Sequence, residues 1–166
     1  ELGYEYIAIT DHSKSLKIAG GLDERQLKEQ IHLIRKLNES IEGLHILTGI
    51  EVDILGDGRL DFEDEILKEL DVVIASIHSG FKQDRHTITQ RIINACKNPY
   101  VNIIAHPTGR LLGRRDPYDV DMDMVFEAAA ATGTVLEINS SPDRLDLNDI
   151  MVIQAKEQGI SIAINT

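Results

Sequence analysis

The chain has 166 residues, 42% of them hydrophobic and 27% charged, the balance of one folded domain large enough to bury its own core. This excludes a disordered tail, a collagen and a coiled coil. Acidic residues number 28 against 17 basic ones, a net charge of −11, which argues against the broad basic face of a sequence-independent DNA binder but leaves room for a small phosphate-binding pocket. The single cysteine, Cys96, excludes a disulfide framework and a thiolate zinc site, and a reducing, cytoplasmic setting is expected. No apolar run is long enough for a membrane span, so no membrane partner is expected.

Short β-branched runs at Glu5-Thr10, His45-Val52, Asp71-Ile77, Tyr100-Ala105, Thr134-Ile138 and Ile160-Ile164 predict six strands. Their near-continuous apolar character predicts a parallel sheet covered on both faces. Helical stripes lie between them. Leu27, Ile31, Ile34 and Leu37 form the first, opened by Asp23 and Gln26 as a capping pair. Phe62 to Leu70 is a weaker helix, and Gly56-Asp57-Gly58 before it is a tight turn. Ile88, Ile92, Ile93 and Cys96 form the next stripe; Val125, Phe126 and Ala129 follow, ended by Gly133; Ile150, Ile153 and Ala155 come last, ended by Gly159. Gly20-Gly21 reads as a flexible turn. Alternating strand and helix is the pattern of an α/β fold with right-handed crossovers, either barrel or open sheet. No linker or repeat divides the chain. It opens on Glu1 rather than Met and stops at Thr166 just after a strand-like run, so a piece of a longer polypeptide is expected.

The polar residues after each strand carry the functional signal. The strands end, in order, in Asp11-His12, in Glu51 with Asp53, in His78, in His106, in Glu137 with Asn139, and in Asn165. Parallel α/β folds build their sites at this carboxyl edge. One such histidine could be a satisfied core residue. Three on one edge, joined by Glu51, point to a metal cluster of His12, Glu51, His78 and His106. Imidazole and carboxylate without thiolate suit zinc, manganese or iron(II), metals that acidify bound water. His32, His45 and His86 fall on a helix flank, an amino edge and a polar stretch, and surface positions are expected for them. Cys96 on its apolar stripe reads as a small buried hydrophobe.

Arg110, Arg114 and Arg115 follow His106 in one loop, and Arg144 follows Asn139. Bidentate phosphate recognition is one reading, with Arg110, nearest the ligand, as the first choice. Pairing of Arg114 and Arg115 with Asp116, Asp119 or Asp121 is the other. Lys14 and Lys17 could line the same edge. No phosphate-cradling loop or dinucleotide fingerprint is present, and no serine has the setting of a hydrolase nucleophile.

Ile9-Thr10-Asp11-His12-Ser13, Gly49-Ile50-Glu51-Val52-Asp53, Ala75-Ser76-Ile77-His78-Ser79 and Ile104-Ala105-His106-Pro107 resemble, in order, motifs of the polymerase and histidinol phosphatase (PHP) metal-dependent phosphoesterases. The strings Ser15 to Leu22, Pro107 to Arg115 and Glu137 to Asn148 resemble the carboxy-terminal PHP domain of family X DNA polymerases. The resemblance runs along essentially the whole chain. It implies a distorted seven-stranded (β/α) barrel, of which six strands are visible here, as a single but incomplete PHP domain over residues 1–166. It implies two or three divalent metals, manganese, zinc or iron. Glu51 would be the bridging carboxylate, His78 a ligand of the bridged pair, and His12 and His106 ligands of the third metal. Asp11 would orient His12, Asp53 would support the ligands from behind, and Arg110, Arg144 and Asn139 would meet the substrate phosphate. Glu51, His78 and His106 would carry catalysis.

The implied activity is 3′-5′ exonuclease cleavage of phosphodiester bonds, with DNA ends delivered by other domains of a longer protein. The resemblance further implies a His-x-His pair and another histidine before Glu1 and an Asp-x-His pair after Thr166, so weak metal binding and poor activity are expected of this chain alone. A stand-alone histidinol-phosphatase-like enzyme acting on a small phosphate ester is the alternative. A catalytically inactive structural module would have lost its ligands, and an amidohydrolase would carry a bridging lysine at a strand end, which this chain lacks.

Overall fold

The computed structural model describes residues 3–165; Glu1, Leu2 and Thr166 lie outside the described residues. Strand β1 (Tyr6–Ile9) leads through a 3-10 turn (Lys17–Ala19) to helix α1 (Glu24–Asn38). The order continues β2 (His45–Asp53), α2 (Asp64–Leu67), β3 (Val72–Ser76), α3 (Arg85–Lys97), β4 (Ile103–Ile104), α4 (Met122–Thr132), β5 (Val135–Asn139), α5 (Asp149–Glu157) and β6 (Ile162–Asn165). All six strands pair in parallel in chain order, β1-β2-β3-β4-β5-β6. An unbroken sequential order is what single-handed crossovers produce when every helix lands on the same face.

The helices are specified locally. Asp23 accepts from the Gln26 amide at 2.8 Å, and Gln26 returns the bond to the Asp23 amide at 2.9 Å, closing the capping box. Asp84, Asp121 and Asn148 cap α3, α4 and α5 by the single bond, each side chain accepting from the amide three residues on, each such cap worth about 1 kcal/mol. Gly133 ends α4 in the left-handed conformation. Leu27 and Ile31 from α1, Ile88 and Ile92 from α3 and Val125 and Phe126 from α4 meet Ile50, Val52, Val73 and Leu136 on the helix-covered face of the sheet.

The other face is concave. Tyr6 and Ala8 of β1 and Ala163 and Asn165 of β6 line one cavity of about 640 Å³ with Leu47, Glu51, Ile74, Ile103 and Glu137 from the strands between. First and last strands therefore face each other across a curled half-barrel. This corrects the expectation of strands buried on both sides. Tyr6 is 67% exposed and Ile164 71%, because they sit on the two outer strands of the curl.

Three smaller expectations also change. Ile150 and Ile153 are exposed on α5, while Met151, Val152 and Ala155 face the core. The sequence offers both stripes at helical spacing, and only docking selects one. Leu37 is likewise exposed at the end of α1. Gly20 and Gly21 are not merely flexible. Gly20 is left-handed (φ 71°) with open space beside it, whereas a Cβ on Gly21 would fall 1.9 Å from the Ser13 carbonyl oxygen. Strand pairing at Ser13 and Leu22 forces that approach.

Candidate metal centre

Sheet register brings the four polar strand ends together. The β1–β2 pairing runs past the strands themselves, so that His12 pairs with Glu51, through Glu51 N–H to the Asp11 carbonyl (2.8 Å) and Ser13 N–H to the Glu51 carbonyl (3.0 Å). On β2, Leu47 and Glu51 share the concave face with a period of two. In β3, Ser76 is in register with Asp53, and His78 follows two residues on. The Ala105 amide bonds the Ala75 carbonyl at 2.9 Å and brings His106 alongside.

Glu51 is the hub. Its carboxylate lies 3.2 Å from His106 Nε2, 3.4 Å from His78 Nε2 and 3.6 Å from His12 Nδ1. The rings follow one another edge to face, with centroids 5.0 Å apart for His12 and His78 and 5.2 Å for His78 and His106. Donor atoms of His12, Glu51 and His78 all lie within 4.8 Å of one another. Burial works against the Glu51 charge, but the His106 hydrogen bond and the three imidazoles outweigh it and hold its carboxyl at about 2. The hub is therefore anionic at neutral pH. With Leu16, Asn139 and Arg144, these residues line a cavity of about 330 Å³.

The supporting residues are specific. Asp53 is buried, and its Oδ1 lies 2.5 Å from His78 Nδ1. Ser15 Oγ donates to the other Asp53 oxygen at 2.5 Å, and the Asp53 amide donates to Ser13 Oγ at 2.9 Å. His106 is held differently. Its backbone is left-handed (φ 31°), a conformation costing a non-glycine residue about 1–2 kcal/mol. Its amide donates to Glu137 Oε2 at 2.7 Å. A bond to a buried charged acceptor contributes about 1.5–3 kcal/mol, enough to offset the strain. In the sequence Glu137 stands at the site edge with no role legible, and no motif singles out Ser15, whose hydroxyl reaches Asp53 only through the fold.

Asp11 does not touch His12; its Oδ2 accepts from Gln30 Nε2 of α1 at 2.5 Å. Asn139 lines the cavity, its amide bonded to the Asp146 carbonyl at 2.6 Å. Arg144 lines it too. Arg110 instead donates to the Arg144 and Leu145 carbonyls. Arg115 donates to the Gly109 carbonyl at 2.8 Å and lies over the Phe81 ring at 4.2 Å. Arg114 is exposed, and Asp119 and Asp121 pair with Arg85 rather than with the loop arginines. Lys14 pairs with Glu24 at 3.3 Å. His32, His45 and His86 are exposed, away from the cluster. Among the described residues, no helix is long and apolar enough to cross a membrane.

No protein-family model matches the chain. It is 52% identical over 164 residues, 99% of its length, to a Bacillus subtilis protein named DNA polymerase/3'-5' exonuclease PolX. It is 36% identical over 174 residues to a probable phosphatase of Caldanaerobacter subterraneus and 37% identical over 174 residues to one of a Thermoanaerobacter species, again over 99% of this chain. The chain spans 29% of the polymerase and 64% and 66% of the two phosphatases.

Proposed function

We propose that this chain, over residues 1–166, is the PHP-type phosphoesterase domain of a family X DNA polymerase, and that it hydrolyses phosphodiester bonds at DNA 3′ ends. The observation that carries the reading is one ionised carboxylate, Glu51, within 3.2–3.6 Å of three imidazoles at the carboxyl edge of a parallel sheet. The likeness to a protein named as polymerase and exonuclease supports the substrate, with DNA binding left to other domains of a longer protein.

The donor set fits divalent metal. His12 Nδ1, the ring nitrogen that faces Glu51, is buried and has no hydrogen-bond partner among the described residues, a cost that coordination would relieve. His12, Glu51, His78 and His106 would hold two or three ions of manganese, zinc or iron. Such ions supply positive charge that acidifies water and offsets charge on a transferring phosphoryl group.

The chain's own residues do the rest. Asp53 accepts a hydrogen bond from the His78 Nδ1–H and so leaves Nε2, 3.4 Å from Glu51, as the nitrogen that would hold a metal. Glu137 fixes the His106 backbone, and so where its ring enters the cavity. Glu51 remains ionised and keeps the three imidazoles gathered. Asn139 and Arg144 line the same cavity and would meet the phosphate there. Leu16 is the one apolar residue among the described residues that line the cavity.

The test uses the full-length protein with manganese and 3′-labelled DNA. Release of mononucleotides from the 3′ end, abolished by His106→Ala, is expected; undiminished release by that variant would refute the site. The two probable phosphatases favour a second reading, a histidinol-phosphatase-like enzyme on the same scaffold. Phosphate release from histidinol phosphate without DNA degradation would select it. No hydrolysis of either substrate would select an inactive structural module.

A further inference from the structure

We infer that Arg144 is the anion receptor of this cavity and that Arg110 is a positioning residue acting through it, not a second ligand. The inference rests on the phosphoesterase reading only for the identity of the anion, the non-bridging oxygens of a phosphate ester.

Arg144 lines the cavity with His12, Glu51, His78 and His106. Its Nη1 is buried without a hydrogen-bond partner, and its guanidinium forms no ion pair among the described residues. Arg144 lines a polar cavity and its guanidinium has no acidic partner among the described residues, so its fork is open to an anion, and the oxygens of a phosphate match it. Of the other arginines of this edge, Arg114 is exposed and does not line the cavity. Arg115 is spent on Gly109 and Phe81.

Arg110 is spent on the backbone that carries Arg144. Its Nε donates to the Arg144 carbonyl at 2.8 Å, and its Nη2 donates to the Leu145 carbonyl. Leu145 is left-handed (φ 45°), a conformation an aliphatic residue holds only when its surroundings impose it. One guanidinium gathering both carbonyls is such an imposition. The loop is pinned elsewhere by the Leu112 amide on the Asp143 carbonyl (2.6 Å) and the Arg144 amide on the Ser141 carbonyl (2.8 Å). The direction of the Arg144 side chain thus depends on Arg110, more than 30 residues away.

A double-mutant cycle on the intact, manganese-loaded protein tests this, with inorganic phosphate as the probe and titration calorimetry as the readout. Arg144→Met is expected to weaken phosphate binding about tenfold or more, the loss of one charge-assisted contact. Arg110→Met is expected to weaken it comparably, and the double variant no further than Arg144→Met alone. Arg110→Lys, able to reach one carbonyl at a time, recovers part of the loss and also serves as the arm of the cycle should Arg110→Met not fold. Arg59→Met, on the remote Gly56–Gly58 turn, leaves binding unchanged. Additive losses, about a hundredfold in the double variant, would mean that Arg110 meets the anion itself and overturn the relay. Unchanged binding by Arg144→Met, or no phosphate binding by the wild-type protein, would overturn the receptor. Hydrolysis separates the two levels. Arg144-dependent phosphate binding in a protein that cleaves no ester keeps this inference and removes the phosphoesterase reading. Ester cleavage with a KM indifferent to Arg144→Met does the reverse.

Discussion

The Asp53 carboxylate lies 2.5 Å from His78 Nδ1, although 25 residues separate them in the chain. Parallel register between β2 and β3 creates the contact, because Asp53 stands opposite Ser76 and His78 follows two positions later. A buried carboxylate on one ring nitrogen fixes which nitrogen is left for a metal. Asp53→Ala should therefore lower metal affinity about 10–100-fold, while Asp53→Asn, still an acceptor, should lose less. Competition with a chromogenic chelator measures both, and wild-type affinity in the alanine variant would remove the orienting role.

Two glycines of the loop after His106 should differ sharply when replaced by alanine. Both are left-handed, Gly109 at φ 64° and Gly113 at φ 71°. A Cβ on Gly109 would lie 2.3 Å from Tyr118 Cε1, whereas Gly113 has nothing within 4 Å. Tyr118 cannot retreat, since it is buried and its hydroxyl donates to the Pro107 carbonyl at 2.8 Å. Gly113→Ala should cost about 1 kcal/mol from backbone strain alone. Gly109→Ala should cost about 3 kcal/mol or more, because overpacking adds to the strain. Urea denaturation of the two variants decides, and equal losses would contradict the packing argument.

Among the described residues, Arg91 is the largest fully buried side chain, and no carboxylate oxygen comes within 4.0 Å of its guanidinium. Its Nη1 donates to the Ser79 carbonyl at 3.0 Å and to Gln83 Oε1 at 2.7 Å, and its Nη2 donates to the Ile54 carbonyl. It thereby ties α3 to the residues that follow His78 and Asp53. Arg91→Met leaves the buried Ile54 carbonyl without its donor, while the more exposed Ser79 and Gln83 acceptors can turn to water, a loss of about 1–3 kcal/mol. Metal affinity should fall with it, because both loops carry residues of the site. A stable Arg91→Met protein with unchanged metal binding would show that water replaces the guanidinium without consequence.

Burial pushes the Cys96 thiol from its ordinary 9.0 up to about 11. At pH 8 its thiolate population is lower by about a hundredfold than in the unfolded chain. Native protein should resist a disulfide-exchange reagent that labels the urea-unfolded chain at once. The stability consequence has a definite sign. The unfolded thiol ionises first, so stability is full below pH 9 and falls as pH rises toward 11, by about 3 kcal/mol in all. Cys96→Ala should lack that alkaline slope, although it loses some packing at every pH. Equal slopes in variant and parent would contradict the assignment.

The sequence by itself determined what depends on near neighbours along the chain. Strand and helix alternation follows from runs of β-branched residues and stripes at helical spacing, and the Asp23–Gln26 capping box spans only three positions. The set of ionisable strand ends, His12, Glu51, His78 and His106, was legible because hydrophobic strands deliver whatever follows them to one edge. Tertiary structure alone decided which of these residues meet which. Register set Asp53 on His78, a crossover set Glu137 under the His106 amide, and helix α1, packed against β2, drew Asp11 to Gln30 instead of to His12. It also turned α5 so that Ala155 rather than Ile153 faces the core, and committed Arg110 to a distant loop. Caps and periods are short-range and read out residue by residue. Pairings across tens of residues are chosen only when the sheet curls and the helices dock, because that choice minimises buried, unpaired polar groups over the whole molecule at once.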